Sequence, residues 1–301
     1  MLSKKGEEEK EKPLFLFVQG SLPKPLIILR ENGKPYMVFP FETSQLLDDY
    51  HLAIISSPDV PLILEAKKLR SDMAYVEPET NTFPKGYVIR ANLGYYTARD
   101  KAVIKYLKKQ SWINGEKVVV AGHSEGAAVA AGLAEASKDV THLIFSGTNP
   151  FGRMATIISQ LRQHDDATGT ATEKQFQFWE ELVKDPENNS IQGEVTYKSV
   201  YSFSVPPIES LRKLKIPVLV AYGTKDMAAP FFDYMRLEAI RDKKKNFTFM
   251  PYVGREHNFF GFDSSGNINY DDFGWDRVAQ DWKHGLMRNS ASLTKSLSDE
   301  R

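Results

Sequence analysis

Short runs of consecutive apolar residues alternate with longer amphipathic stretches along most of this 301-residue chain. Apolar runs without a polar face are typical of strands that are buried on both faces of a sheet. The runs occupy residues 14–18, 52–56, 118–120, 140–145, 216–222 and 246–252. Between several of them, apolar residues recur at helical spacing, as in residues 95–110. This alternation predicts an α/β fold with a mostly parallel central sheet flanked by helices.

Residues 151–214 interrupt the alternation. Two amphipathic stretches, 154–162 and 172–184, are joined by a polar segment and followed by an irregular aromatic segment that contains Tyr201 and Phe203. We interpret the whole segment as a helical cap that is inserted into the sheet domain and covers a substrate pocket. Packing of the same aromatic side chains between the cap and the sheet domain is the alternative for each of them.

The rest of the chain divides into a sheet domain and two polar ends. Residues 13–150 and 215–290 are expected to form the sheet domain, which closes with an amphipathic helix. Residues 1–12 carry many charges and no apolar run, which predicts a solvated tail, and residues 291–301 predict a polar, disordered tail. Residues 26–39 predict a hairpin. Apart from the apolar runs, the remaining region before residue 94 is expected to be mostly loop.

The turn after the third apolar run reads Gly122-His123-Ser124-Glu125-Gly126. A strand-to-helix elbow of the Gly-x-Ser-x-Gly type forces its central residue into strained backbone angles and exposes the serine hydroxyl beyond the end of the sheet. The pentapeptide alone is a weak signal, but its position between a Val-rich strand and an Ala-rich helix makes it more specific. Ser124 is therefore the candidate nucleophile. A structural turn with a capping serine is the alternative.

Further polar residues follow other predicted strands, whose carboxyl ends meet at one edge of a parallel sheet. Gln19-Gly20-Ser21, Asp226 and His257 are of this kind. A serine nucleophile needs a base to take its proton, and the base needs a partner that orients it. We therefore predict that His257 is the general base and Asp226 its partner. A loop histidine without function and an aspartate that caps the next helix are the alternatives.

The other five histidines are less suitable as the base. His123 lies inside the elbow and is expected to point elsewhere, whereas His51 and His142 begin strands and so lie at the wrong end of the sheet. His164 belongs to the predicted cap, and His284 lies on the exposed side of the last helix.

The oxyanion that forms during attack on a carbonyl needs two preorganised hydrogen-bond donors. We expect one to be the backbone N–H of Glu125, directly after the nucleophile, and the other to be the N–H of Ser21, in the loop after the first strand. The residues expected to line the substrate pocket are Gln19, His123, Tyr201, Phe203 and Phe259.

Composition narrows the classes of function. Lysine and arginine together number 39, as do aspartate and glutamate, so no net field attracts nucleic acid or an anionic membrane. The absence of cysteine excludes disulfides, thiolate catalysis and cysteine metal sites. No histidine–carboxylate spacing supports zinc, and no phosphate-binding loop or dinucleotide fingerprint occurs. The oxygen-rich segment 263–269 fits a solvated turn better than a calcium loop. We expect no metal and no cofactor.

No stretch approaches the ~20 apolar residues that a membrane span needs, and the first residues do not form a signal peptide. The chain as written is therefore expected to be soluble and cytoplasmic. An exported protein whose signal peptide had been removed would have the same appearance.

In these features the chain resembles the α/β-hydrolase superfamily. The resemblance extends from residue 14 to about residue 288 and is carried by the 122–126 turn, by Asp226 at a strand end and by His257 after the last strand. It implies a serine-hydrolase mechanism with an acyl-enzyme intermediate, in which Ser124 is the nucleophile, His257 the general acid and base, and Asp226 its partner. The position of the cap also resembles the superfamily.

Two departures from the superfamily pattern are evident. Members usually open with an antiparallel hairpin, whereas here only a charged dozen residues precede the first apolar run, so either that hairpin has been removed or the sheet is shortened. The loop Gln19-Gly20-Ser21 stands where many members have His-Gly, which weakens the assignment of Ser21 as an oxyanion donor.

Three functions are compatible with these residues. A hydrolase of small carboxylic esters, or of thioesters or small amides, is favoured because all three members of a catalytic triad are present. A non-catalytic module that binds small ligands is the second. A small-peptide peptidase of the prolyl-oligopeptidase type is the third, although the missing propeller-like domain argues against long peptides. The sequence specifies neither the acyl chain, nor the leaving group, nor the oligomeric state.

Overall fold

The computed structural model describes residues 1–163 and 168–298, with side chains described as far as residue 286. The strands are β1 (Lys12–Val18), β2 (Ile27–Leu29), β3 (Pro35–Met37), β4 (His51–Ile54), β5 (Ile63–Glu65), β6 (Ile113–His123), β7 (His142–Ser146), β8 (Ile191–Gln192), β9 (Val195–Thr196), β10 (Val218–Gly223), β11 (Phe247–Tyr252), β12 (Phe260–Phe262) and β13 (Ile268–Phe273). The helices are α1 (Ser44–Leu47), α2 (Lys85–Arg90), α3 (Leu93–Leu107), α4 (Glu125–Ala136), α5 (Arg153–Arg162), α6 (Thr170–Lys184), α7 (Tyr197–Ser204), α8 (Pro207–Lys213), α9 (Ala229–Arg241) and α10 (Trp275–Ser298). His164 lies outside the described residues.

Six strands form a fully parallel central sheet in the order β4-β1-β6-β7-β10-β11. On β1, Phe15 pairs with Leu52 of β4 on one side and with Val119 of β6 on the other. Each of the six strands overlaps one of the six apolar runs of the sequence. The predicted α/β class, with a parallel sheet flanked by helices, is confirmed.

Successive side chains of each strand enter two different cores because they point to opposite faces of the sheet. On β6, Val118 and Val120 belong to the core beneath α3, α4 and α9, whereas Val119 belongs to the core beneath α10. Trp282 of α10 is fully buried in the second core. Burying one large apolar side chain contributes about 1.5–3 kcal/mol. The two layers of helices hold the strand ends in fixed positions.

Residues 26–94 contain more regular structure than the sequence predicts. The predicted hairpin is present as β2 and β3, and β5 pairs with β2 in parallel. The region expected to be mostly loop also contains the strand β5 and the helix α2, which the sequence did not predict. Elements of three and six residues are too short to produce a recognisable hydrophobic period.

The first twelve residues differ from the solvated tail that their charge predicts. Leu2 and Leu52 of β4 exchange two main-chain hydrogen bonds of 2.8 and 2.9 Å. The hydroxyl of Ser3 lies 2.7 Å from Nδ1 of His51. Lys12 is the first residue of β1 and is only 3% exposed. The segment therefore lies against the outer strand of the sheet.

The closing helix also differs from its prediction. It continues to Ser298 and so includes residues 291–298, which were expected to form a disordered tail, while residues 299–301 lie outside the described residues. Within the described ranges, no helix is long and apolar enough to cross a membrane.

Residues 151–214 are called the insertion below. Their described part, 151–163 and 168–214, contains four helices, α5 to α8, and the short hairpin β8–β9. The first three helices pack around a small apolar cluster of their own, formed by Met154, Leu182 and Val200. The fourth helix, α8, packs on α4, and its Leu211 belongs to the core beneath α3, α4 and α9. The separate cluster therefore ends before α8, and the cap boundary at residue 214 remains a prediction.

Candidate active site

Ser124 lies at the junction between β6 and α4. Its φ of 55° and ψ of −133° are a strained combination for a residue other than glycine. Two glycines permit the turn: a Cβ on Gly122 would lie 2.1 Å from the carbonyl oxygen of Gly126, and a Cβ on Gly126 would lie 2.2 Å from that of Val18. The elbow is therefore tight and is pressed against the end of β1.

Asp226 and His257 form a hydrogen-bonded pair beyond the ends of β10 and β11. The Nδ1–H group of His257 donates to Oδ2 of Asp226 at 2.8 Å. The other carboxylate oxygen accepts the backbone N–H of Ala228 at 2.9 Å, which fixes the orientation of the buried Asp226. Because the hydrogen bond to the carboxylate keeps the proton on Nδ1, the other ring nitrogen, Nε2, has a lone pair that can accept a proton.

Opposing influences act on the pKa of His257. Burial of the ring lowers the pKa, whereas the hydrogen bond and charge of Asp226 and the charge of Glu256 raise it, and the result lies above the usual 6.5. The side chain still has 38% of its surface exposed. His257 is thus a better proton acceptor than an ordinary histidine, and it remains accessible.

A cavity of about 710 Å³ opens at this edge of the sheet. Ser124 and Glu125 line it from the elbow, His257 and Asp226 from the other strand ends, and Ser21 from the loop after β1. The structure thus brings together the five residues predicted as triad and oxyanion donors. We call this space the main cavity.

A smaller cavity of about 390 Å³ lies on another side of the same serine. Ser124, His257 and Ser21 line both spaces, and the smaller one adds Gln19 and His123. We call it the side cavity. The serine and histidine therefore border two spaces of unequal size.

Three of the five residues predicted to line the pocket lie at these cavities, and two do not. Phe203 lines the main cavity, and Gln19 and His123 line the side cavity. Tyr201 instead stacks on a tryptophan of the insertion, with ring centroids 5.5 Å apart. Phe259 is fully buried, with its ring 4.8 Å from that of a tryptophan on α10. The positive φ of 61° at Phe259 accompanies this placement in the core.

The loop after β1 passes close to the serine. A Cβ on Gly20 would lie 3.7 Å from Cβ of Ser124. The carbonyl oxygen of Ser21 accepts a hydrogen bond from the hydroxyl of Tyr87 on α2, which holds the loop from behind. Within the part of the chain that the structure describes, the N–H groups of Ser21 and Glu125 donate no hydrogen bond. Both main-chain donors are therefore available to a ligand.

No family model and no curated protein sequence matches the chain. The structure of Est1E from Butyrivibrio proteoclasticus matches 95% of this chain and 91% of its own length, with a TM-score of 0.51 and 16% identity. Acylaminoacyl peptidase from Pyrococcus horikoshii has a TM-score of 0.50 at 12% identity, over 85% of this chain and 34% of its own. Dipeptidyl peptidase 4 from Porphyromonas gingivalis has a TM-score of 0.50 at 14% identity, and the match covers 90% of this chain and 31% of the peptidase.

These matched structures are α/β-hydrolase-fold proteins. The chain has the α/β-hydrolase fold. It spans about a third of the length of the two peptidases. Among the described strands, the central sheet has no antiparallel member, so the hairpin that usually opens this fold is not part of the sheet.

On this α/β-hydrolase scaffold, an ion pair at the main cavity was not foreseen from the sequence. Arg153, the first residue of α5, donates a hydrogen bond to the buried carboxylate of Glu125 and lies over the ring of Phe203, 5.1 Å from its centroid. Burial raises the pKa of Glu125, and the charge and hydrogen bond of Arg153 oppose that rise. The pair connects the insertion directly to the elbow. One arginine among many in the sequence gives no signal of such a role.

A second residue missed from the sequence is Glu256, which precedes the histidine. One oxygen of its carboxylate accepts the backbone N–H groups of Asn258 at 2.6 Å and of Phe260 at 3.0 Å. Glu256 thereby folds the turn that carries His257. A glutamate that bridges amides two and four residues further along is recognisable only once the turn is seen.

His123 lies closer to the proposed base than expected. Its ring centroid is 4.9 Å from that of His257 and 4.7 Å from that of Trp275. Burial, together with the charge of His257, holds the pKa of His123 well below the usual range, so it stays neutral. The prediction that it points away from the site is therefore wrong. A neutral ring supports His257 without competing for its proton.

No group of three or more histidine, aspartate or glutamate side chains in the described residues is arranged to hold a metal ion.

Proposed function

We propose that this protein is a serine hydrolase that cleaves carboxylic esters of small molecules through an acyl-enzyme intermediate. The observation that carries the proposal is the shared cavity. Ser124 lines it from the elbow, and His257, hydrogen-bonded to Asp226, lines it from another strand end. If Ser124 were only part of a structural turn and His257 only a loop histidine, their side chains would not be expected to line the same cavity.

In the first half of the reaction, Nε2 of His257 takes the proton of the Ser124 hydroxyl while the serine oxygen attacks the ester carbonyl carbon. Asp226 stabilises the imidazolium that forms. The imidazolium then gives its proton to the departing alcohol, and the acyl group stays on the serine. In the second half, His257 activates a water molecule that attacks the acyl-enzyme, and the acid leaves with the serine restored.

The negative charge that develops on the carbonyl oxygen is stabilised by the backbone N–H groups of Glu125 and Ser21. Both are without an acceptor in the described structure, and both belong to residues that line the main cavity. One such donor contributes about 2.7–4 kcal/mol to the stability of the transition state. Fixed amides do not have to reorganise when the charge appears.

The expected substrate is a small molecule, because its two halves have to fit spaces of about 710 and 390 Å³. The insertion lines the larger one through Phe203 and Arg153. Thioesters and small amides follow the same chemistry. A small-peptide peptidase is a second candidate, because two of the matched structures are peptidases, of which this chain spans about a third.

A fluorophosphonate probe tests the proposal directly, since it reacts covalently with activated serines. The wild-type protein should be labelled on Ser124, and Ser124→Ala should not be labelled. Ser265→Ala, which removes an exposed serine from a surface turn, serves as the matched control and should be labelled like the wild type. Absence of labelling on correctly folded wild-type protein contradicts the proposal and favours a ligand-binding module.

A substrate panel separates the two catalytic candidates. We expect p-nitrophenyl esters of increasing acyl length to be hydrolysed faster than peptide p-nitroanilides. Faster cleavage of the nitroanilides would instead identify a peptidase. Mass spectrometry of protein trapped with a slow ester should show the mass of the acyl group on the peptide that contains Ser124.

A further inference from the structure

The side cavity carries a charge that the catalytic proposal does not use. It is lined by residues of the loop after β1, by Val38 and Pro40, and by the catalytic serine and histidine. Among its described lining residues, Lys24 is the only charged side chain apart from the imidazole of His257. The space beside the nucleophile is therefore cationic.

The backbone holds Lys24 firmly in this position. It stands between Pro23 and Pro25, whose rings fix φ and restrict the residue that precedes each of them. The N–H of Lys24 donates to the carbonyl oxygen of Leu22 at 2.9 Å, and the carbonyl oxygen of Pro23 accepts the N–H of Tyr75 at 2.9 Å. These restraints fix the main chain at Lys24, three residues after the proposed oxyanion donor Ser21.

Lys24 is partly buried, and in the described structure its ammonium forms neither an ion pair nor a hydrogen bond. The carboxylate whose charge acts on it, Asp72, is already bound by Arg70 through contacts of 2.7–3.2 Å. Burial lowers the pKa of Lys24, and the charge of Asp72 opposes this. Proteins rarely bury part of a cation without compensation, which an anionic ligand would supply.

The main cavity has a different charge balance. Its lining includes three carboxylates, those of Glu125, Asp226 and Glu256, and two cations, those of Arg153 and Lys225. Arg153 is already paired with Glu125. The two sides of the serine thus offer opposite environments to the two halves of a substrate.

We infer that the side cavity is an anion subsite, in which Lys24 binds a carboxylate carried by one half of the scissile ester. The inference rests on the proposed ester hydrolysis and adds the class of substrate: esters that carry a carboxylate on the acyl or the leaving-group side. Lys24 is a specificity-determining residue and takes no part in bond cleavage.

Two pairs of esters test the subsite and identify the half that occupies it. On the leaving-group side, 4-acetoxybenzoate is compared with the neutral 4-acetoxybenzamide. On the acyl side, mono-p-nitrophenyl adipate is compared with p-nitrophenyl hexanoate. In one of the two pairs, the wild type should show a higher kcat/KM for the anion. The corresponding Ser124→Ala rates are subtracted as the uncatalysed background.

Variants of Lys24 should change the preference between the anionic and the neutral ester. Lys24→Gln should reduce the anion-to-neutral ratio of kcat/KM by about 10-fold to 100-fold, the range expected for one hydrogen bond to a charged group. Lys24→Arg should retain most of the ratio. Lys34→Gln removes the same charge from an exposed turn and should leave the ratio unchanged.

Several results would overturn the inference. They are a wild-type preference for the neutral ester in both pairs, an unchanged ratio in Lys24→Gln, and an equal loss for both members of a pair. If Lys24→Gln does not fold, the loss of ratio in Lys24→Met decides the same question.

A binding measurement distinguishes failure of the subsite from failure of the proposed function. Ligand-observed NMR on Ser124→Ala protein should show tighter binding of benzoate than of benzamide, and the added Lys24→Gln change should abolish the difference. This readout needs no turnover. A protein that hydrolyses no ester but shows this preference would retain the subsite and lose the hydrolase proposal, and equal binding of the two ligands would overturn the subsite.

Discussion

Replacing Arg153 by methionine should destabilise the protein, because it leaves the carboxylate of Glu125 buried without its partner. The Glu125 side chain is 9% exposed and that of Arg153 is 26% exposed. Removing one partner of a fully buried ion pair costs about 3–5 kcal/mol, and an exposed pair is worth about 0–1 kcal/mol. Since Arg153 is a quarter exposed and Glu125 lies in the first turn of α4, we expect a loss of about 2–3 kcal/mol near pH 8.

The loss should depend on pH in a defined direction. Burial raises the pKa of Glu125, and Arg153 opposes that rise. In Arg153→Met the raising influence acts alone, so the carboxyl group takes up a proton at a higher pH than in the wild type. A neutral carboxyl group is less costly to bury than a carboxylate. The difference in unfolding free energy between wild type and variant should therefore be largest in mildly alkaline solution and should shrink as the pH falls through the raised pKa.

Urea unfolding between pH 5 and pH 8 measures this difference. Arg162 lies at the other end of α5 from Arg153 and pairs with Glu173 of α6, and the two side chains are 50% and 59% exposed. Arg162→Met breaks this exposed pair and should cost less than about 1 kcal/mol. The double variant Glu125→Gln/Arg153→Met should recover part of the loss, since no unpaired charge remains. A loss that is equal at all pH values, or no larger than in the Arg162 control, would refute the reasoning.

Three further predictions follow from the site. Asp226→Asn should lower kcat by about 10⁴-fold in an ester assay while the circular dichroism spectrum stays unchanged, because the ring loses the partner that fixes its tautomer. Because the pKa of His257 is raised and only the neutral ring is a base, wild-type kcat/KM should rise with pH to a plateau with a midpoint above 6.5, and a profile that is flat down to pH 5 would contradict this. Gly147→Ala should destabilise the protein more than Gly33→Ala in thermal unfolding. Both glycines have positive φ, which costs an alanine about 1–2 kcal/mol, but only at Gly147 would the new Cβ meet His123, at 2.4 Å.

The sequence predicted best where local pattern and topology act together. The valines at 118–120 identify a buried strand because no polar residue interrupts them, and the glycines at 122 and 126 permit a turn that other residues would block. Asp226 and His257 could be predicted to lie together because parallel strands bring their carboxyl ends to one edge. The number of residues between Asp226 and His257 does not affect this prediction.

Prediction failed where side-chain direction or tertiary pairing decides the outcome. Tyr201 is on the insertion, but its direction depends on how α6 and α7 pack, and it stacks within the insertion. The main chain at Phe259 has a positive φ, and this places its side chain in the core. A hydrophobic pattern does not predict such a backbone angle. The partner of Arg153 could not be foreseen because the insertion meets the elbow only in the folded chain. The position of Lys24 in the side cavity could not be predicted either, because that cavity is formed by segments far apart in the sequence.

The contact between Leu2 and Leu52 affects the tendency of the protein to self-associate. β4 is the last strand on one side of the sheet, and an uncovered outermost strand offers free amides and carbonyls to another chain. Leu2 occupies two of these groups on β4. Removing Leu2 would therefore free these two groups, and self-association through the exposed strand is the expected result.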